Sequence, residues 1–334
     1  MECLSRRACL GAIGGSLLCG TAKSGTRRAN MRPAQIAITL DLEMSRNFPN
    51  WEDTHWDYEK GNLNDQTKKY AVDVCRRVRA RGGRVHNFVV GRVLEQENVE
   101  WLREISEAGH PLGNHTYDHV YLLAKTKEDV QFRFRRAPWL LKDAPLAEIL
   151  RENIDLATRA LKSRLGIAVE GFRTPGGFST GLHGRPDIQQ MLLDLGFSWV
   201  SSMYPRGAPV TSLGESGGSP DEAIFSKVVA VQAAAQPFIY PSGLIEIPMS
   251  PLSDITAFRG GRWQLKDFLR AIRLAVEWTI DHGGVFDFLA HPSCLGVVDP
   301  KFETVDMICA LVEESRGKAQ IVTLDEIAAK YKSS

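Results

Sequence analysis

The chain has no Cys-x-x-C pair in its 334 residues, and this excludes a structural zinc ribbon. Three of its six cysteines (Cys3, Cys9, Cys19) fall within the first thirty residues. The body keeps only Cys75, Cys294 and Cys309, too few for a disulfide scaffold. These are expected to be mostly buried and unpaired, with a Cys294–Cys309 bridge left open. No stretch is long and apolar enough to give a stable membrane span. A net charge of +1 gives no basic excess for nucleic acid. No glycine-rich dinucleotide or phosphate fingerprint follows the first predicted strand. Internal repeats and low-complexity tracts are also missing. What remains is an ordinary globular mixture, 43% hydrophobic and 24% charged, which excludes collagen and a disordered chain.

Charge is unevenly spread. Residues 1–30 carry Arg6, Arg7, Lys23, Arg27 and Arg28 against Glu2 alone, so the rest is mildly acidic. The Arg6-Arg7 pair precedes a short, weakly apolar stretch ending at Leu18, as in a Tat-type export signal. The expectation is a signal segment over 1–30 and a single catalytic domain over 31–334. The mature protein would then work in the periplasm or cell envelope.

Along the body, strand and helix signals alternate. Strands are predicted at Ile36–Leu40, Val85–Val90, Pro111–Asn114, Val169–Phe172, Ser198–Ser201, Leu244–Ile247, Val285–Leu289 and Gln320–Thr323. Helices are predicted at Asp65–Arg81, Val99–Ala108, Ile188–Leu195, Leu265–His282, Lys301–Ser315 and Leu324–Tyr331. Residues 127–165 read as largely helical, with breaks near Pro138 and Pro145, and 44–63 and 205–222 as loops. Strand and helix in turn argue for a parallel α/β fold, and a barrel suits the pattern better than an open sheet.

Four polar clusters stand directly after predicted strands: Asp41-Leu42-Glu43, His115 to His119, Arg173 to Gly177, and His291-Pro292. In an α/β barrel the carboxyl ends of the strands share one face, where active sites form. His115 and His119, four apart on a helical turn, would aim two imidazoles at one divalent cation. A carboxylate from the first strand would complete a His₂-carboxylate set with open positions, the pattern of a hydrolytic metal site. Alternation along an extended strand puts Asp41 and Glu43 on one side and Leu42 on the other. One acid can bind metal while its neighbour takes a proton from water. His291 ends an almost wholly apolar strand and suits a proton donor working near neutral pH.

These stretches together resemble the polysaccharide deacetylase family, also called the NodB-homology domain or carbohydrate esterase family 4. Its first motif is matched by Thr39-Leu40-Asp41-Leu42-Glu43, its H-S/T-x-x-H by His115 to His119, and its R-x-P-x-G by Arg173 to Gly177. Phe197-Ser198-Trp199 is similar to its aromatic fourth motif, and Leu289-Ala290-His291-Pro292 to its fifth. The resemblance spans roughly residues 34–330 with motifs in family order. It implies a distorted (β/α)7 barrel and a metal-dependent hydrolase of carbon–nitrogen bonds. Carried over residue by residue, Glu43, His115 and His119 hold one divalent metal, zinc or a similar cation. Asp41 is the base, Arg173 pairs with it, and His291 is the acid. A backbone N–H near Gly176 helps stabilise the oxyanion. Trp51, Trp56, Tyr117 and Trp199 are candidates for stacking on sugar rings.

The chain departs from the commoner pattern of two adjacent acids, because Leu42 separates them and the second is Glu. This looks more like the D-x-D/E branch, which includes some peptidoglycan deacetylases and allantoinase-like amidohydrolases. The expected substrate is an N-acetylated glycan. A small cyclic amide and a non-catalytic carbohydrate-binding barrel are the alternatives.

Overall fold

The computed structural model describes residues 32–53, 60–141, 143–205 and 219–332. The predicted signal segment over 1–30 and Trp56 lie outside the described residues.

The sheet starts with β1 (Ala34–Leu42), in which all nine residues are buried. Such continuous burial is the mark of a parallel strand covered on both faces. β1 is followed by β2 (Val85–Val89), β3 (Leu112–Asn114), β4 (Gly171–Phe178), β5 (Trp199–Met203), β6 (Phe238–Ile239), β7 (Ile245–Glu246), β8 (Val285–Ala290) and β9 (Ala319–Ile321). Their order is β6-β7-β5-β4-β3-β2-β1-β8, with β9 paired to the start of β1. Every pairing is parallel except β6 with β7. Seven parallel strands, β1 to β5, β7 and β8, therefore form the expected (β/α)7 barrel. Its seam between β7 and β8 is thin. Beyond β7 the chain runs on to Ser250, whose N–H donates to the Asp287 carbonyl of β8 at 2.8 Å. Lower on β8, the Gln236 side chain accepts from the Val285 N–H and donates to its carbonyl, covering backbone groups that a neighbouring strand would otherwise satisfy.

Alternation along β1 sorts its side chains. Ile36, Ile38, Leu40 and Leu42 join the outer core beneath the helices. Ala37 faces the barrel interior with Phe88, Trp199, Ile245 and Val285, where Leu324 and Ile327 of the C-terminal helix close the lower end. Above that apolar plug the interior turns polar.

Most elements lie where the sequence predicts them, and the helix Leu265–His282 keeps its predicted ends, stopping at Gly283 with φ +62°. The stretch 127–165 is largely helical as expected, with short helical pieces up to Leu141 and one long helix, Leu146–Leu165, begun after Pro145. Two differences stand out. A helix that the sequence reading did not place, Glu222–Gln232, follows the expected loop 205–222 and buries Ile224, Phe225 and Val228. A helix Pro292–Val298 follows His291 directly, its proline standing where a helix needs no N–H donor. Cys75, Cys294 and Cys309 are all buried and free, so Cys294 and Cys309 do not pair.

Candidate active site

The four polar clusters meet at the carboxyl ends of the strands, around a cavity of about 660 Å³. Asp41 is one residue from the end of β1, and Glu43 is one residue past it. A tight turn, Glu43 N–H to the Asp41 carbonyl at 3.0 Å, presents both acids to the cavity while Leu42 packs outward.

The two histidines arrive differently from the prediction. Residues 115–119 are a loop, not a helical turn, and Thr116 and His119 both take φ +58°. Side chains from outside the loop hold it. Asn114 Oδ1 accepts from Thr116 N–H at 2.7 Å. Asn153 Oδ1, from the helix Leu146–Leu165, accepts from Tyr117 and Asp118 N–H at 2.9 Å each. The two left-handed residues fold the chain back so that both imidazoles still reach Glu43. His119 Nε2 is 2.8 Å and His115 Nε2 is 3.6 Å from Glu43 Oε2.

Glu43, His115 and His119 can offer donor atoms that all lie within 4.8 Å of one another. Their chemistry fits a divalent cation. Glu43 Oε2 is buried and accepts no well-directed hydrogen bond. His115 Nδ1 donates to the Arg173 carbonyl at 2.9 Å, which orients the ring and turns Nε2 toward Glu43. Burial pushes the His119 imidazole down to about 4, so it is neutral and has a lone pair to give. Burial alone would raise the Glu43 carboxyl, but His119 and the Lys60 ammonium hold it well below its usual range. The set is thus two imidazoles, each with its Nε2 toward Glu43, and one carboxylate.

Lys60 is a site residue that the sequence reading missed. It is buried, forms an ion pair with Glu43, and approaches His119 Nε2 to 3.5 Å. No motif signals it, because it is brought in by a loop.

Arg173 is fully buried in the middle of the barrel rather than at its rim. Its guanidinium donates to Thr39 Oγ1 at 2.8 Å, Asp41 Oδ1 at 3.2 Å, Ser201 Oγ at 3.2 Å and the Asp287 carboxylate. It also stacks over the Phe88 ring, 4.3 Å from the centroid. Asp287 is thus a second acid partner, unrecognised in a strand that reads as apolar. Burial raises its carboxyl to about 6 despite Arg173. Fixing Asp41 Oδ1 leaves Oδ2 facing the cavity, 3.6 Å from His115 Nε2 and 3.9 Å from His291 Nε2.

His291 faces this group from β8. The Asp254 carboxylate accepts from its backbone N–H at 2.7 Å and stands 2.9 Å from its Nδ1. Burial alone would lower this imidazole, but the charge and hydrogen bond of Asp254 lift it above its ordinary value. Asp254 was likewise not predicted; it lies in a segment without periodicity.

Gly176 lines the cavity within an irregular part of β4, between Arg173 and Phe178, and takes φ +74°, which favours glycine. Trp51 lines it too and is covered by Arg262, whose guanidinium carbon is 3.2 Å from the ring centroid. The other two described aromatics do not reach it. Tyr117 turns onto Gly91, where a Cβ would come within 2.5 Å of its ring, and its hydroxyl donates to Glu95. Trp199 begins β5 at the opposite end of the barrel, 1% exposed, and its indole N–H donates to Asp325. A parallel strand exposes its last residues to the site, and Trp199 is a first residue.

At the mouth of a (β/α)7 barrel stand a His₂-carboxylate cluster that could hold a divalent cation, a second carboxylate held by arginine and a histidine held by aspartate. Residues 61–185 match the family model described as polysaccharide deacetylase. That match, over less than half of the chain, makes this part of it similar to the polysaccharide deacetylase, or NodB-homology, family. The match includes the His115–His119 and Arg173–Gly177 motifs. Asp41, Glu43 and His291 fall outside it, so their place in the site rests on geometry.

The fold is shared with crystal structures assigned as polysaccharide deacetylases. One is from Mycobacterium smegmatis, with TM-score 0.58 and 16% identity over 91% of this chain and 92% of that one. Another is from Pseudomonas aeruginosa PAO1, with TM-score 0.59 and 14% identity over 90% and 91%. Puue allantoinase has the same fold, with TM-score 0.57 and 13% identity over 90% of each chain. At these identities the likeness establishes the fold alone. No curated protein sequence matches the chain.

Proposed function

We propose that the chain is a metal-dependent hydrolase that removes acetyl groups from N-acetylated sugars of a glycan. One observation carries the reading: two imidazoles and a carboxylate converge beside Asp41 on one side and His291 on the other. A binding module needs no such pair of proton-handling groups.

Glu43, His115 and His119 would hold the cation, with zinc suited to two imidazoles and a carboxylate. Such an ion supplies Lewis acidity, which polarises a carbonyl and makes water more acidic. Asp41 Oδ2 faces the cavity and takes the proton from the attacking water, while Arg173 holds Oδ1 in place. The water oxygen bonds to the acyl carbon and the carbon–nitrogen bond breaks. His291 Nε2 gives its proton to the departing amine, and Asp254 steadies the imidazolium. The N–H near Gly176 donates to the oxyanion. Trp51 offers an aromatic face for a sugar ring. The Asp-x-Glu spacing supports placing the chain in the D-x-D/E branch, and the Arg6-Arg7 pair supports export by a Tat-type route.

The test is acetate release from chitooligosaccharides and peptidoglycan, run beside ring opening of allantoin and related cyclic amides. Ring opening without acetate release would replace the glycan reading by an allantoinase-like one.

A further inference from the structure

We propose that Arg46 and Arg259 form a subsite for an anionic substituent of the substrate, a carboxylate or a phosphate, on the cavity wall beside His291. This rests on the hydrolase reading above and deepens it by naming a feature of the substrate.

The wall has an unusual charge balance. Asp41 and Glu43 are the only carboxylates among the described lining residues, against Arg46, Lys60 and Arg259. Asp41 is committed to Arg173 and Glu43 to Lys60. Among the described residues neither arginine has an ion pair or hydrogen bond of its own. A cation loaded onto Glu43 and the histidines would tip the balance further.

The backbone explains why Arg259 faces the cavity. Residues Ile255–Gly260 form one wide π-helical turn begun at Asp254, the partner of His291. Its winding directs Ile255, Thr256, Arg259 and Gly260 to the cavity and Ala257 and Phe258 into the core. Short π-helical insertions often mark functional sites, since they re-aim side chains that a regular helix would bury. Here the same turn holds His291 and presents a guanidinium to the same cavity.

Arg259 is half-buried, so part of its hydration is lost, and the Glu43 and Asp254 carboxylates nearby offset this only in part. Burial, and the like charge of Arg46 nearby, lower its pKa. Two guanidinium groups kept together at such a cost are suited to the planar oxygens of a carboxylate or phosphate, which each can bind through two N–H groups.

The test is binding of matched ligands to metal-loaded, full-length Asp41→Asn protein, which keeps ligands intact. Titration calorimetry compares an N-acetylglucosamine oligomer with one carrying a carboxylate (N-acetylmuramic acid) and one carrying a phosphate ester. The proposal expects at least one anionic ligand to bind about 10-fold or more tightly than the neutral one, and this advantage to fall to near 1 in Arg259→Gln. Arg46→Gln, at an exposed position, repeats the test if Arg259→Gln folds poorly. Arg259→Lys should recover only part of the advantage, because it keeps charge but not the fork. Equal binding of neutral and anionic ligands, or an advantage untouched by both variants, overturns the subsite. Loss of the hydrolase reading shows separately, as no acetate release by wild-type protein from any of the three ligands.

Discussion

Replacing Asp254 with Asn removes one charge while nearly conserving shape, and isolates what that charge does for His291. In the native site one carboxylate oxygen accepts from His291 N–H and the other lies against both the imidazole Nδ1 and the Ile255 N–H. An amide has only one acceptor oxygen, so its NH₂ must oppose a donor on one side. If that donor is Nδ1–H, the imidazole is driven to its other tautomer or loses its brace. A hydrogen bond to a charged group is worth about 1.5–3 kcal/mol. One pKa unit corresponds to about 1.36 kcal/mol. The His291 pKa, raised in the native protein, should therefore drop by about 1–2 units. A general acid works while protonated, below its pKa. The alkaline limb of the kcat/KM profile should thus move about 1–2 units toward acid, and the rate on that limb should fall about 10–100-fold. The assay is acetate release from pH 5 to 10 for both proteins, with metal content measured in parallel. An alkaline limb that stays in place with full metal content would remove His291 as the titrating acid. Amides with good leaving groups should lose least, since they need least help from a proton donor.

His115→Ala and His119→Ala should each lose metal and activity together; full occupancy by elemental analysis in both would show that the cluster lies elsewhere. Glu43→Gln should weaken metal binding, whereas Asp41→Asn should keep the metal and lose turnover by about 10²–10⁴-fold. Metal titration separates them, and equal loss in both would mean that both acids coordinate. Lys60→Met should destabilise the metal-free protein by about 3 kcal/mol, because it leaves Glu43 unpaired in a buried site, and should tighten metal binding about 10-fold or more by removing a competing cation. Thermal unfolding with and without metal reads both, and unchanged affinity refutes the competition. Replacing Arg6-Arg7 by Lys-Lys should hold the precursor inside the cell, and normal export of that variant argues for an ordinary secretory signal.

The sequence by itself determined the parts governed by local order along the chain. Mostly apolar runs made β1 and β8, glycine stops ended helices, and polar residues near strand ends marked the barrel mouth. For that reason Asp41, Glu43, His115, His119, Arg173 and His291 could be singled out before any coordinate was known. The tertiary structure decided which partners they meet, and these come from remote segments. Asp287 reads as part of an apolar strand until Arg173 reaches it across the barrel, 114 residues away in sequence. Asp254 and Lys60 have no periodic signal, and each matters only because a loop carries it to a histidine or a carboxylate. The same limit misdirected the aromatics. Composition picks out a ring, but the end of the strand on which it stands decides whether it meets substrate, and Trp199 stands at the closed end. The i, i+4 spacing of His115 and His119 suggested a helix, yet two left-handed residues braced by Asn114 and Asn153 bring the imidazoles together instead. Spacing limits how far apart two side chains can be, whereas their direction depends on backbone torsions fixed by distant neighbours.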